Sequence, residues 1–462
     1  MKRRHLIKSL IATTISGTIA STASLSSNSF ASNTTSSKKY PWKNWSGNQQ
    51  CMPSERIAPA NIEELQSLIK HSQGRIRAVG AGHSFSELVP TDETLLSIRR
   101  LAGLKNVDAT KNTATIYAGT TLREIGPLLN AQNQALVNMP DIDQQTLSGC
   151  ICTSTHGTGR QLGSLSHYVE ALDIVTASGD LLHCSQHENA DLFKAAQVSL
   201  GALGIITSIT MKNTTPFKLK RQSQWLPFED LLPQAEALSH ANRNFEFYYF
   251  PFTGMALTDA LNITTEASTQ SEELDGNSGI MDLKSARDYL SWSNKLRELI
   301  LSSYMKTIAL EESVDHSYAI YATERNVRFN EMEYHLPAEL GLKALQEVRI
   351  AVESKFPEVF FPIECRFIKG DDIWLSPFYQ RDTISIAVHR YFEEDHAPLY
   401  KVVEPILQKY QGRPHWGKIN TFSTKQFAHA YPQWQAFQDV RQHYDPQGKF
   451  LNPYLMRTFG LR

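Results

Sequence analysis

The stretch Ile76-Arg77-Ala78-Val79-Gly80-Ala81-Gly82-His83-Ser84-Phe85-Ser86 constrains this chain more than any other. A short β-branched run ends in two glycines, and a histidine and a serine follow at once. Glycines after a strand let the backbone turn sharply and aim its N–H groups at an anion. A histidine fixed beside such a nest lies next to whatever carries the anion, a nucleotide cofactor included. The loop is not a Rossmann fingerprint: Gly80-Ala81-Gly82-His83-Ser84-Phe85 lacks the third glycine, and no helix signal follows it directly. A nicotinamide dinucleotide therefore fits poorly, while an anion nest built from Gly80, Ala81, Gly82, His83 and Ser84 stays open.

Two further segments share this chemistry. Thr146–Gly159 is dense in hydroxyls and glycines. Its Ser148, Gly149, Ser154, Thr155, His156, Gly157 and Gly159 can supply donors to a pyrophosphate. Taken alone, such a stretch is an ordinary loop; two of them in one domain point to a dinucleotide. In Ser199–Thr207, Gly204 permits close backbone approach and Ile206 could pack beside an aromatic ring system. Turn glycines at a strand entry would read the same way.

The N-terminus suggests how such a cofactor is loaded. Arg3 and Arg4 precede a weakly apolar run from Leu6 to about Ala20, followed by a Ser/Thr/Asn-rich tract. Residues 1–31 read as a twin-arginine signal peptide, and 32–50 as a flexible lead. An ordinary secretory signal or a disordered tail is the alternative. The twin-arginine route exports folded proteins, often because a cofactor must be inserted in the cytoplasm, so the expected location is periplasmic or extracytoplasmic. The apolar run is too short and too rich in Thr and Ser for a stable span, and no later segment looks transmembrane. The 462 residues carry a formal net charge of −1, which gives no electrostatic case for nucleic acid or an anionic membrane surface. Cys51, Cys150, Cys152, Cys184 and Cys365 are odd in number and irregular in spacing, so neither a disulfide framework nor a zinc site is expected. No metal is called for.

Patterning divides the chain. Asn61 with Glu64, and Thr121 with Glu124, are helix-start signals. Strands are expected at Ile76–Val79, Thr113–Ala118 and Leu203–Met211, with a hairpin turning at Ser178-Gly179-Asp180. Residues 51–213 therefore read as one α+β domain. Residues 214–420 differ, with strands at Phe245–Phe250 and Ile384–His389 and one long helix near Leu283–Leu301. The aromatic-rich tail occupies 421–462. In the second region, strand alternation puts Glu364 and Arg366 on one face and Cys365 on the other. A carboxylate beside a guanidinium can hold a polyhydroxylated or carbonyl-bearing substrate, although a solvated ion pair has the same sequence. His389 ends an apolar strand, and His415-Trp416-Gly417-Lys418 is unusual in composition.

Together these motifs resemble the aldonolactone oxidase family, the L-gulonolactone and D-arabinono-1,4-lactone oxidases of the vanillyl-alcohol-oxidase class. The resemblance runs from about Asn44 to the C-terminus. It rests on Val79–Ser84, Ser154–Gly159, Val327-Arg328-Phe329-Asn330-Glu331-Met332-Glu333-Tyr334, Glu364-Cys365-Arg366, His415–Lys418 and Phe450-Leu451-Asn452-Pro453-Tyr454-Leu455. It implies an α+β fold: a two-subdomain PCMH-type FAD-binding domain, an α/β substrate (cap) domain over the isoalloxazine, and a C-terminal segment that returns to the FAD domain. It also implies FAD bonded through His83. Glu364, Arg366 and Lys418 fall where relatives contact substrate and flavin, and His389 matches a substrate-side histidine of alditol oxidases. The implied reaction is oxidation of a CH–OH group in a small polyhydroxylated substrate by hydride transfer to flavin N5, with O2 or another electron acceptor. An alditol oxidase, a dehydrogenase serving a quinone or cytochrome, and an exported protein with a decayed flavin site are the competing expectations. The polar stretch 255–312 matches no family pattern and is expected to shape the substrate entrance.

Overall fold

Strict alternation along four neighbouring strands organises the largest sheet of the protein. In the computed structural model, which describes residues 41–269, 276–322 and 325–461, an eight-stranded antiparallel sheet runs in the order Glu311–His316, Lys218–Pro227, Met255–Thr264, Asn244–Phe250, Ile363–Ile368, Thr383–Tyr391, Phe329–Pro337, Arg413–Pro414. On one face Phe245, Phe247, Tyr249, Met332, Tyr334, Leu336, Ile363, Cys365, Phe367, Ile384, Ile386 and Val388 pack into an apolar core. Helices Ala338–Lys355 and Ala397–Lys409 cover that face. The intervening residues put Glu246, Tyr248, Glu331, Glu333, His335, Glu364, Arg366, Ser385 and His389 on the opposite face. That face is covered too, so Phe329–Pro337 and Ile363–Ile368 are buried along their whole length.

The preceding part combines a parallel sheet in the order Glu55–Ile57, Thr94–Ser97, Ile76–Val79 with an antiparallel sheet in the order Leu181–Ser185, Val169–Val175, Ile205–Thr214, Thr113–Tyr117, Leu104–Asp108. Its helices start where side chains cap them. Asn61 accepts from the Glu64 N–H, and Thr121 and Glu124 cap each other reciprocally. The C-terminal helices Thr424–Ala430, Trp434–Tyr444 and Pro453–Phe459 place Phe427, Trp434, Phe437, Leu455 and Phe459 in the same core as Leu65, Ile116 and Ile174. Polar ties reinforce this return. Arg77 donates to the Phe450 carbonyl at 3.0 Å, and Asn452 donates to the carbonyls of Glu87 (2.8 Å) and Pro90 (2.9 Å).

The structure departs from the sequence expectations at three places. The expected flexible lead is ordered from residue 41: Trp42–Lys43 pairs with Gln50–Cys51, because Asn44 bridges the turn by accepting from the N–H groups of Gly47 and Gln49. Part of the expected loop 146–159 is a helix, Leu147–Cys152, whose Leu147, Cys150 and Ile151 are buried. The long helix near 283–301 is two, Gly276–Tyr289 and Asn294–Met305. Ser293 interrupts it by accepting from the Leu296 N–H, which makes it the start of a second helix. All five cysteines are free thiols, three of them buried. The predicted export signal lies outside the described residues, as do residues 270–275 of the polar stretch. Among the described residues no helix is long and apolar enough to cross a membrane.

Packing of Ala338–Lys355 on the sheet leaves no room for a methyl group at Gly341, whose Cβ would lie 2.4 Å from Ile384 Cβ. Gly341→Ala is expected to cost about 1–3 kcal/mol in urea unfolding through overpacking. Unchanged stability would mean that this helix lifts freely from the sheet.

Candidate active site

The glycine loop after Ile76–Val79 is held from two sides. From the N-terminal hairpin, Trp45 N–H donates to the Gly82 carbonyl (2.9 Å), Asn44 to the Ser84 carbonyl (3.0 Å) and Asn48 to the Phe85 carbonyl (2.9 Å). From the C-terminal side, Phe85 N–H donates to the Gly417 carbonyl (2.7 Å) and the Ser86 hydroxyl to the Trp416 carbonyl (2.7 Å). The loop forms one wall of a cleft through Gly80, Ala81, Gly82, His83 and Ser84. Thr146, Ser148, Gly149 and Thr153 form a second wall, and Gly201, Gly204 and Ile206 a third.

Three features show that the cleft is built to admit a ligand. A Cβ at Gly80 would lie 2.3 Å from Thr146 Oγ1, so a side chain there would close the cleft where its walls converge. That Thr146 hydroxyl is buried with no hydrogen-bond partner among the described residues, and a buried polar atom in this condition calls for a ligand. Gly204, at φ +151°, lies against Val175, whose carbonyl oxygen would be 2.4 Å from an added Cβ.

Ser154, Thr155, His156, Gly157 and Gly159 are placed differently. None of them lines this cleft; they form the seam to the large sheet. Gly159 N–H donates to the Phe367 carbonyl (2.6 Å) and the Thr158 hydroxyl to the Phe245 carbonyl (2.5 Å). His156 contacts the Gly157 carbonyl through Nδ1 (2.8 Å) and Glu333 Oε1 through Nε2 (3.1 Å). A carbonyl only accepts, so Nδ1 carries a proton. Glu333 is held well below the usual carboxylate range, since the charges of His156 and Arg366 outweigh its burial. Nε2 faces this carboxylate, so His156 and Glu333 form a buried pair that ties the segment to the large sheet.

The polar face of the large sheet gathers the other residues singled out from the sequence. Glu364 and Arg366, only 3% and 6% exposed, pair at 2.7 Å. The solvated alternative for this pair is thus ruled out. Arg366 also lies 3.7 Å from Glu333 and 3.9 Å from Asp141. Burial would lower its pKa, but the carboxylates of Glu364, Glu333, Asp141 and Glu246 outweigh burial and raise it well above its ordinary value. Burial pushes the Glu364 carboxyl up against the opposing pull of Arg366. Lys418 forms an ion pair with Glu331, and its ammonium lies 5.0 Å from the centre of the Phe85 ring. His389 Nδ1 is fixed by the Pro362 carbonyl (3.0 Å), and its Nε2 points toward Glu331 (3.9 Å). His83 joins the two regions. It lines the cleft, stacks on Trp45 with ring centres 5.7 Å apart, and has its pKa lowered to about 4 by burial and then by the Lys418 charge.

Several members of this site were not picked out from the sequence. Glu331 and Glu333 carried a readable signal, because Asn330-Glu331-Met332-Glu333-Tyr334 alternates acid with core residue. Asp141, Arg325, Thr146 and Trp45 lie in loops without periodicity. The Asp141–Arg325 pair at 2.7 Å joins residues 184 positions apart.

Residues 53–185 match the family model described as FAD binding domain, so the cleft-bearing part is a flavin-nucleotide module. Residues 209–458 match the D-arabinono-1,4-lactone oxidase model, and the chain belongs to that family of FAD-dependent oxidoreductases acting on CH–OH donors. It is 35% identical over 430 residues to L-gulono-1,4-lactone dehydrogenase of Mycobacterium tuberculosis, covering 91% of this chain and 99% of the relative. It is 29% identical to mouse L-gulonolactone oxidase (91% and 99% covered) and 28% identical to alditol oxidase of a Streptomyces species (89% and 97%). Cholesterol oxidase from Brevibacterium sterolicum shares the fold, with a TM-score of 0.76 at 15% identity over 91% of this chain and 97% of that one.

Glu246 offers a test of the site's electrostatics. Burial, then the Glu364 charge, pushes its carboxyl up to about 8. Folded protein thus keeps a proton that the unfolded chain releases in the ordinary carboxylate range, so this group's contribution to stability falls as pH rises from there through about 8. Glu246→Gln is expected to flatten the alkaline decline of the urea midpoint. A decline identical to wild type would remove Glu246 from its cause.

Proposed function

We propose that this protein oxidises a CH–OH group of a sugar-derived lactone, using Glu364, Arg366, His389 and Lys418. The buried Glu364–Arg366 pair carries this reading. Glu364 Oε1 and Arg366 Nε have no hydrogen-bond partner among the described residues, so the pair keeps an acceptor and a donor for substrate oxygens. When bound, FAD supplies the hydride acceptor. Arg366 orients the reacting hydroxyl and stabilises negative charge on its oxygen as the proton leaves. Glu364 accepts a hydrogen bond from a neighbouring hydroxyl and fixes which carbon reacts. His389 Nδ1 faces the Pro362 carbonyl, which leaves Nε2 as the nitrogen to take the hydroxyl proton. Lys418, kept cationic by Glu331, supplies positive charge on the cofactor side.

Arg366→Ala is expected to lower turnover on the true lactone by roughly 10²–10³-fold, and Glu364→Gln to lower it less. Wild-type turnover in both variants would make this site assignment wrong. The relatives include enzymes named dehydrogenase and oxidase. We take O2 as the acceptor; hydrogen peroxide formed in step with product supports this, and dye reduction without peroxide contradicts it.

His83 is the proposed anchor of a covalent flavin. Its depressed pKa keeps the imidazole neutral, and so nucleophilic, above about pH 4. Yellow colour is expected to stay with acid-precipitated wild-type protein and to leave His83→Ala protein. Colour retained by the variant would end the claim. Export through Arg3 and Arg4 is proposed on the sequence alone. Cell fractionation should find the protein outside the cytoplasm, and inside it after Arg3→Lys with Arg4→Lys.

A further inference from the structure

The polar stretch that matched no family pattern carries a surface that the oxidation chemistry does not use. Helix Asn294–Met305 has three faces. Arg297 and Met305 point inward: Arg297 lies over the Phe252 ring at 4.2 Å and donates to the Pro357 carbonyl at 2.8 Å, and Met305 packs with Phe250 and Met255. Lys295, Glu298, Ser302 and Lys306 share a polar face. The third face is apolar yet open to water. At helical spacing, Leu296, Leu299, Ile300 and Tyr304 form one stripe, and Trp292 stands in the turn just before the Ser293 cap. Trp292 is 74% exposed, Leu299 63%, and Ile300 and Tyr304 46% each. Exposed single apolar residues are ordinary, but Trp292, Leu299, Ile300 and Tyr304 exposed together beside a half-buried Leu296 mark an interaction surface.

We propose that this stripe seats the protein on an anionic lipid surface, with the helix lying in the plane of the headgroups. Trp292 stands at one end and Tyr304 at the other, with aliphatic side chains between them, which is the arrangement of an interfacial helix. Lys295 and Lys306 flank the stripe, exposed and without an ion pair among the described residues, and complement lipid phosphates. At 12 residues the helix is about 18 Å long and cannot span a bilayer. A second copy of the chain is the poorer occupant, because a stable dimer needs about 20–30 residues a side and this stripe offers far fewer. The near-zero net charge does not oppose the proposal, since it averages over the whole surface while the stripe and its lysines act locally.

The test is co-sedimentation of the FAD-loaded full chain with vesicles of phosphatidylcholine, with and without phosphatidylglycerol. Binding is expected with phosphatidylglycerol and should weaken as salt rises. A Trp292→Ser, Leu299→Ser, Ile300→Ser variant should bind at least about tenfold more weakly while keeping wild-type melting and turnover. Lys295→Glu with Lys306→Glu should remove the preference for phosphatidylglycerol. Absence of wild-type binding, or unchanged binding of the triple variant, overturns the proposal. So does a wild-type dimer in light scattering that the triple variant converts to monomer, because the stripe is then a protein interface. Should the triple variant fail to fold, quenching of tryptophan fluorescence by brominated lipid in wild type and Trp292→Tyr gives the same readout. Equal quenching in both overturns the proposal.

Discussion

Arg366 sits in the middle of a sheet, buried, with the carboxylates of Glu364, Glu333 and Asp141 around it. A lone guanidinium at this depth would be prohibitively unfavourable, and each carboxylate alone would be nearly so. Together they hold one another in place, and removing one member leaves the others uncompensated. The polar face of the eight-stranded sheet follows from this constraint. Glu364 is held beside Arg366, Glu333 reaches back to His156, and Asp141 joins the face to Arg325 from another part of the chain. A buried charge network of this kind is weak evidence for stability. Its consequence here is positional: polar atoms stay oriented in a low-dielectric setting where small shifts matter to chemistry.

The apolar face of the same strands makes this arrangement affordable. Phe245, Phe247, Phe367, Ile384 and Ile386 pack against two helices, and each strand carries one residue to each side in turn. One sheet thus serves as core wall on one face and carries the buried charges on the other. The glycine cleft is tied to that floor at two seams. Segment 154–159 hydrogen-bonds to Phe245 and Phe367, while residues 415–418 carry Lys418 and also clamp the loop after Gly82. The N-terminal hairpin closes the other side and stacks Trp45 on His83. The cleft and the polar face of the sheet are therefore connected by backbone hydrogen bonds as well as by side-chain contact.

Much of this was legible along the chain, and particular elements show why. The caps at Asn61 and Thr121 are local exchanges of hydrogen bonds within four residues, so their sequence is their structure. Glu364-Cys365-Arg366 announced its two faces because strand alternation has a period of two. The order of the lead before residue 51 is not legible in it, because the local turn at Asn44 is held by contacts with Ser84 and Phe85, some forty residues away. The break at Ser293 is hidden because apolar spacing continues across it, while the serine that starts a new helix is a single residue within that pattern.

The sequence by itself determined the helix caps at Asn61 and Thr121, the two-faced strand at Glu364-Cys365-Arg366 and the glycine nest, since capping, alternation and turn chemistry are local properties. Only the tertiary structure decided that Glu364 and Arg366 are buried rather than solvated, that Ser154–Gly159 is a seam rather than a cleft wall, and that Lys418 acts on both Glu331 and His83. Those outcomes depend on distance through space and on exclusion of water. Neither quantity exists until strands far apart in the chain are side by side.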